Sequence, residues 1–188
     1  MAVPAAPDLT AAPVTRVVLP AVAARHAAQA DLDGDGDGDL LLAGPDRLLR
    51  VLLNEPTTGF VDLGTGLPPT AREGIGTRVS AADLDGDGDL DVVACGLLGT
   101  DKRRAGCRVF ASRLRESGPG TSGALRFEEV AAFGRVPPLL ELAAFLLADY
   151  DGDRDPDLLL FSAGTAGHLV YRNDSGDQAS RDAGPVSE

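Results

Sequence analysis

Short apolar runs separated by polar turns recur along this chain. Most runs are four to six residues long, rich in Val and Leu, and bounded by Gly, Asp or Pro, which is typical of β-strands. The runs at 40–42, 92–93 and 158–160 show no polar alternation, which predicts strands covered on both faces. Residues 137–148 are long enough for a helix, but they stand where the pattern places a strand, so a strand is favoured.

The apolar runs are arranged around three copies of one acidic segment. The copies are DLDGDGDGD at 31–39, DLDGDGDLD at 83–91 and DYDGDRDPD at 149–157. Each copy follows a small and apolar run ending in Ala and precedes two further apolar segments. A last segment follows the first two copies, and Val14–Pro20 offers a similar one for the third. Such repetition indicates equivalent structural units.

Composition agrees with an array of short strands. Among 188 residues there are 23 Gly and 13 Pro, while aromatic residues make up 4%, which favours many strands joined by turns. We divide the chain into a flexible N-terminal segment at 1–13, three repeated units at 14–173 and a polar tail at 174–188. A leader peptide is only weakly suggested, since Asp8 precedes the apolar run after Arg16 and a basic start is missing.

The negative charge is concentrated in the three acidic segments. The formal net charge is −12, and each segment carries five aspartates. A localised acidic charge argues against nucleic-acid binding, which needs a basic stripe. No apolar run approaches the roughly 18 residues that a membrane span requires.

Alternating carboxylates with Gly near the middle of the turn direct several hard oxygen atoms towards one point. Such oxygens are the ligands of Ca²⁺, which takes about 6–8 of them. We therefore predict three Ca²⁺ sites with ligands at loop positions 1, 3, 5 and 9. Position 7 is a weaker candidate because it would contribute its backbone carbonyl. The side-chain ligands are Asp31, Asp33, Asp35 and Asp39; Asp83, Asp85, Asp87 and Asp91; and Asp149, Asp151, Asp153 and Asp157. The weaker candidates are Asp37, Asp89 and Asp155.

A calcium loop fits the acidic segments better than four alternatives. These are a solvated turn and three known acidic motifs. A solvated turn is as good an account of one copy, but three copies in register favour metal binding. An EF-hand needs Glu at position 12 and flanking helices, whereas this position holds Leu42, Ala94 and Leu160. Dockerin-type loops are followed by a helix, and haloacid-dehalogenase phosphatases have a single Asp-x-Asp-Gly motif followed by Thr.

The segment AADLDGDGDLDVV, followed by a strand pair and F-x-D, resembles the FG-GAP or VCBS repeat of calcium-loop β-propellers. The resemblance covers roughly residues 14–173. It implies an all-β fold of three four-stranded antiparallel blades, with a calcium loop between the first two strands of each. It also implies Ca²⁺ in the loops and an extracellular or cell-surface role in binding or adhesion. Arg154 departs from the pattern, which has Gly at loop position 6.

The number of units bears on assembly. Propellers close with about 4–8 blades, so three units predict an incomplete propeller or a part of a larger one. The open blade faces then predict self-association.

Cys95 and Cys107 fall on the second and third strands of the middle unit, where they form either a disulfide or two small buried side chains.

Two classes of function are compatible with the sequence. The first is a non-catalytic calcium-binding module that recognises a protein or glycan. The second is an accessory or catalytic propeller domain of a secreted enzyme. The first is favoured, because the clustered polar residues belong to the loops. The enzyme would be favoured if carboxylates outside the loops converged on a His, for example Glu128, Glu129 or Glu141.

His26 and His168 are isolated in the sequence, so solvated or capping roles are expected for them.

Overall fold

The computed structural model describes residues 19–45, 49–63, 67–69, 78–97, 105–114, 125–130, 142–163 and 167–174. Within these ranges the chain is all-β, its strands pair antiparallel, and no α-helix occurs. No helix of the described part is long and apolar enough to cross a membrane. The predicted segments 1–13 and 174–188 lie outside these ranges, except for Asp174.

Eleven strands are found in the described ranges, and their bounds follow the repeated pattern. The first unit contains β1 (His26–Ala30), β2 (Asp39–Ala43), β3 (Leu49–Glu55) and β4 (Gly59–Asp62). The second contains β5 (Arg78–Ala82), β6 (Asp91–Leu97), β7 (Ala105–Ser112) and β8 (Phe127–Val130). The third contains β9 (Leu142–Ala148), β10 (Asp157–Ser162) and β11 (Leu169–Tyr171).

Each unit forms its own sheet with neighbouring strands in chain order. The first sheet is β1-β2-β3-β4, the second is β5-β6-β7-β8, and the third is β9-β10-β11. In every sheet the acidic loop joins the first strand to the second. Position 9 of each loop pairs with the last residue of the preceding strand, in the pairs Ala30–Asp39, Ala82–Asp91 and Ala148–Asp157. The three loops are therefore equivalent in register.

Two hydrophobic cores hold the sheets in a stack. The first core lies between the first and second sheets and includes Leu41 and Val51 opposite Val92 and Phe110. The second core lies between the second and third sheets and includes Val93 packed with Leu158 and Leu160. All of these side chains are fully buried. The strands β2 and β6 are buried on both faces, as their uninterrupted apolar runs predict, whereas β10 is fully buried on one face only, through Leu158 and Leu160.

The third sheet has three strands among the described residues, not the four that were predicted. Val14–Pro20, the predicted fourth strand, lies outside the described ranges apart from Leu19 and Pro20, which form no strand. The ambiguous run at 137–148 contains β9 (Leu142–Ala148), so the prediction of a strand there is confirmed over those residues.

Cys95 and Cys107 form a disulfide between β6 and β7. The two residues face each other directly in the antiparallel pairing. Cys95 is fully buried and belongs to the second core, with Cys107 packed against it. Of the two alternatives for these cysteines, a disulfide is therefore confirmed.

The outer face of the third sheet is exposed, whereas the equivalent faces of the first and second sheets are covered by the next sheet. Three side chains form a row across neighbouring strands, and the equivalent rows are Ala28–Leu41–Val51, Ser80–Val93–Val109 and Leu146–Leu159–Val170. The first two rows face the next sheet in the stack. In the third, Leu146 is 51% exposed and Val170 is 45% exposed. The self-association expected from open faces stays a prediction, and this surface is where we locate it.

Candidate metal centres

Three predicted ligands converge in every acidic loop. The carboxylates of positions 1, 3 and 9 place one oxygen each within 4.8 Å of one another. The three groups are Asp31, Asp33 and Asp39; Asp83, Asp85 and Asp91; and Asp149, Asp151 and Asp157. Because the loops share one register between paired strands, the grouping is produced three times by the same local fold.

The position-1 carboxylate organises the turn by accepting two backbone N–H groups. In the second loop, Asp83 Oδ1 accepts from Gly86 across 2.8 Å and Oδ2 accepts from Gly88 across 3.0 Å. The first loop makes the same two bonds, and so does the third. Gly86 and Gly88 have φ of 76° and 89°, a left-handed conformation that glycine adopts without a steric penalty. The central glycines therefore suit the left-handed conformation that folds the loop back.

The position-9 carboxylate fastens the loop to the sheet. Asp39 accepts the N–H of Leu32 across 2.8 Å and that of Asn54 across 2.8 Å. Asp91 and Asp157 make the equivalent pairs of bonds in their own units. All three position-9 aspartates are nearly inaccessible, with at most 2% exposure. These residues therefore secure the geometry of the loop in addition to belonging to the carboxylate group.

Positions 5 and 7 behave differently from the other predicted ligands. Asp35 and Asp87 lie outside the three-carboxylate groups of the described residues, and each accepts the N–H of its position-7 neighbour through Oδ1. Asp153 makes the same bond to Asp155, but it also joins a further group with Asp151 and Asp174. The structure thus groups positions 1, 3 and 9 most closely. The assignment of positions 5 and 7 stays a prediction.

Two carboxylates of the loops have pKa values raised above that of an ordinary aspartate. Burial, with a contribution from the charges of Asp39 and Asp35, raises the pKa of Asp33 to about 6. Burial likewise raises the pKa of Asp91 to about 6, although the N–H groups of Ser112 and Leu84 oppose the shift. A raised carboxyl pKa means that the environment disfavours the ionised form. A bound cation would remove that penalty.

The donor set fits a hard divalent cation. Each loop offers carboxylate oxygens from three side chains, and backbone carbonyls are available in the same turn. In addition, Asp37 Oδ1 and Asp153 Oδ2 are buried and have no hydrogen-bond partner in the described structure. Buried acceptors of this kind favour a ligand that supplies positive charge. Oxygen-only donors in an irregular turn suit Ca²⁺ better than Mg²⁺, which demands near-octahedral geometry.

The third loop departs from the other two in the residue at position 6, while its backbone turn is the same. Arg154 occupies position 6 with φ of 82°, and it is the only non-glycine residue of the described chain with positive φ. Its N–H still donates to Asp149 Oδ2 across 3.1 Å. The turn predicted from the glycines of the first two loops is therefore kept, at the cost of an unfavourable conformation for Arg154.

Two polar contacts between units could not be read from the spacing of the loops. The side chain of Asn173 donates to Leu84 O across 2.7 Å, joining residues that are 89 positions apart. The Nδ1 atom of His26 accepts the N–H of Val79 across 3.2 Å, between the first and second sheets. A solvated or capping role was the expectation for His26. A lone His at the start of a strand carries no local signal for such a contact.

A comparison with protein-family models identifies part of the repeated region. Residues 31–94 match the model described as the FG-GAP-like repeat. The match begins at the first loop and extends through the second loop into β6. This stretch carries an FG-GAP-like repeat, which confirms the resemblance inferred from its acidic segments. A comparison with curated proteins finds no match for the chain.

Proposed function

We propose that the protein is a non-catalytic, calcium-binding repeat module of the β-propeller type. The observation that carries this proposal is the same three-carboxylate group in three loops, each fixed by the same backbone hydrogen bonds. A chance acidic turn has no reason to repeat this geometry. The FG-GAP-like repeat at 31–94 supports the same function.

Each loop holds its ion through residues with separate tasks. Positions 1, 3 and 9 provide carboxylates, and position 1 also holds the N–H groups of positions 4 and 6 so that the turn closes. A bound Ca²⁺ would supply the positive charge that lets these carboxylates ionise together. The ion then stabilises the native protein, because the unfolded chain lacks the assembled site.

We further propose an extracellular or cell-surface role in binding a protein or glycan. The Cys95–Cys107 disulfide supports an oxidising compartment, since such bonds are rare in the cytosol. Glu128 and Glu129 form ion pairs with Arg113 and Arg108. Two of the three carboxylates named for an enzymatic alternative are therefore engaged in structural contacts, which supports the non-catalytic function.

Calorimetric titration with Ca²⁺ tests the proposed function. We expect saturable binding that loses one site in Asp33→Asn and one site in Asp85→Asn, because each removes a position-3 carboxylate. Asp62→Asn is the control, since Asp62 lies at the end of β4 outside the loops. Equal stoichiometry in all four proteins would contradict the assignment of the loops.

A further inference from the structure

Arg172 places a positive charge against a predicted ligand of the third loop. Its guanidinium Nε contacts Asp151 Oδ2, and its Nη2 lies 3.0 Å from Asp174 Oδ1. Asp151 is the position-3 carboxylate, and it belongs both to the group with Asp149 and Asp157 and to the group with Asp153 and Asp174. The ion pair therefore engages the residue that the two carboxylate groups share.

The first two loops have no counterpart to this guanidinium at the equivalent position. Asn54, Ser112 and Asn173 are equivalent, because the backbone N–H of each donates to the position-9 aspartate of its own loop. The residues immediately before them are Leu53, Ala111 and Arg172. The first two are buried and apolar, with 4% exposure each.

The second unit has an arginine one position further on, and it is anchored differently. Arg113 follows Ser112, and its guanidinium pairs with Glu128 on β8, with Nη2 3.1 Å from Oε2. Its charge lowers the pKa of Asp85 only as a minor contribution, which burial outweighs. Arg113 is thus anchored on a neighbouring strand, whereas Arg172 is anchored on the acidic loop itself and on Asp174.

We propose that Arg172 is an internal cation that competes with a divalent metal ion for the third loop. This inference rests on the proposed calcium function. To bind Ca²⁺ through both oxygens, Asp151 must release the guanidinium, and the ion must also approach a like charge. The third loop should therefore bind Ca²⁺ more weakly than it would without Arg172.

When calcium is scarce, the ion pair of Arg172 with Asp151 supplies the third loop with a positive charge from the protein itself. Asp151 is only 20% exposed at its side chain, while Arg172 is 54% exposed. The exposed guanidinium can leave Asp151 and keep its contact with Asp174, so the loop has two ways of neutralising its charge. Because an exposed charge is screened by salt, the competition should weaken at high ionic strength.

The chain contains its own spectroscopic probe for this site. It has two tyrosines and no tryptophan. Tyr150 is position 2 of the third loop, where the other loops have Leu32 and Leu84, and Tyr171 directly precedes Arg172. Terbium is a hard cation that binds oxygen ligands, and its luminescence is sensitised by a nearby tyrosine. Because Tyr150 lies within the third loop, tyrosine-sensitised terbium emission should report that loop.

The experiment titrates the full chain with Tb³⁺ and then displaces Tb³⁺ with Ca²⁺. We expect Arg172→Gln and Arg172→Leu to lower the dissociation constants of Tb³⁺ and of Ca²⁺, the latter obtained from the displacement after correction for the Tb³⁺ affinity, about tenfold at low salt, and by less at high salt. Arg172→Lys, which keeps the charge, should change them little. Arg108→Leu is the control for overall charge, because Arg108 pairs with Glu129 on β8. Emission that appears only after Arg172 is replaced would also support the proposal.

Two results would overturn the proposal, and they differ from failure of the proposed function. If Ca²⁺ raises the melting temperature but wild type and Arg172→Gln have the same dissociation constants for Tb³⁺ and Ca²⁺, Arg172 does not compete. If Ca²⁺ raises the melting temperature while neither protein gives sensitised emission, the third loop is not a metal site. If Ca²⁺ changes the melting temperature of neither protein, the calcium function itself fails.

Discussion

The side-chain amide of Asn173 donates a hydrogen bond to the carbonyl oxygen of Leu84 across 2.7 Å. This contact joins the end of the third sheet to the second acidic loop. The backbone N–H of Asn173 donates to Asp157, and that of Leu84 donates to Asp91. The position-9 aspartates of neighbouring loops are thus linked through two residues, so the second and third units stabilise each other.

Replacement of Asn173 by serine, the residue found at the equivalent position 112, should loosen this link. The shorter side chain leaves the buried Leu84 carbonyl without its donor, which costs about 1–3 kcal/mol. Urea unfolding at fixed Ca²⁺ concentration measures the loss. Asn54→Ser is the matched control at the equivalent position of the first unit, where Asn54 is only half-buried. Equal losses in the two variants would argue against a special role for Asn173.

Arg154→Gly should stabilise the third loop in two separable ways. Relief of the positive φ of 82° is worth about 1–2 kcal/mol and does not depend on metal. We therefore expect a higher melting temperature even in chelator, and tighter Ca²⁺ binding at the third loop besides. Gly88→Arg, the reciprocal change in the second loop, should have the opposite effects. A chelator-treated Arg154→Gly protein that melts like the wild type would contradict the strain.

The calcium-free protein should become more stable on mild acidification. The pKa values of Asp33 and Asp91 are raised to about 6 in the folded protein, against 3.8 for an ordinary aspartate. Between these values the folded chain holds protons that the unfolded chain has released, so its stability rises as the pH falls from 7 towards 4.

Melting temperatures of the metal-depleted protein at pH 7 and pH 5 measure this effect. Asp33→Asn should weaken the dependence of the melting temperature on pH, because the asparagine side chain does not titrate. With saturating Ca²⁺ we expect the trend to reverse, since protons then compete with the ion for the same carboxylates. A metal-depleted protein that loses stability steadily between pH 7 and pH 5 would contradict the prediction.

The exposed row on the third sheet should drive association with a second copy. Leu146, Leu159 and Val170 occupy the positions through which the first two sheets contact their neighbours. Val170→Glu places a charge in that row and should shift the protein towards monomer in light scattering. Val61→Glu is the control, since Val61 on the edge strand β4 is similarly exposed at 43%. A wild-type chain that is monomeric at high concentration would refute the expectation.

The strands and loops could be predicted from the sequence because their signals are local. Runs such as Leu40–Leu42 mark a buried strand, and the alternating aspartates mark the loop that precedes it. The position-9 aspartate was predicted as a ligand, but its bond to a backbone N–H of a later strand, such as that of Asp39 with Asn54, depends on how β2 and β3 pair. That information is absent from the spacing alone.

Contacts between units were beyond prediction for the same physical reason. Asn173 meets Leu84 and His26 meets Val79 only after the sheets have stacked. Arg154 was recognised as unusual because it interrupts a local pattern. The role of Arg172 was not recognised, because β10 and β11 separate it from its partner Asp151 in the sequence.

The most direct test of the central claim is the melting temperature of the wild-type chain in chelator, in millimolar Ca²⁺ and in millimolar Mg²⁺. At 100 times its dissociation constant, each Ca²⁺ adds about 2.7 kcal/mol to stability, and a domain of this size gains about 2–4 °C per kcal/mol. We therefore predict a rise of several degrees or more in Ca²⁺ and little change in Mg²⁺. Superimposable curves in chelator and Ca²⁺ would contradict the claim that the three acidic loops are calcium sites.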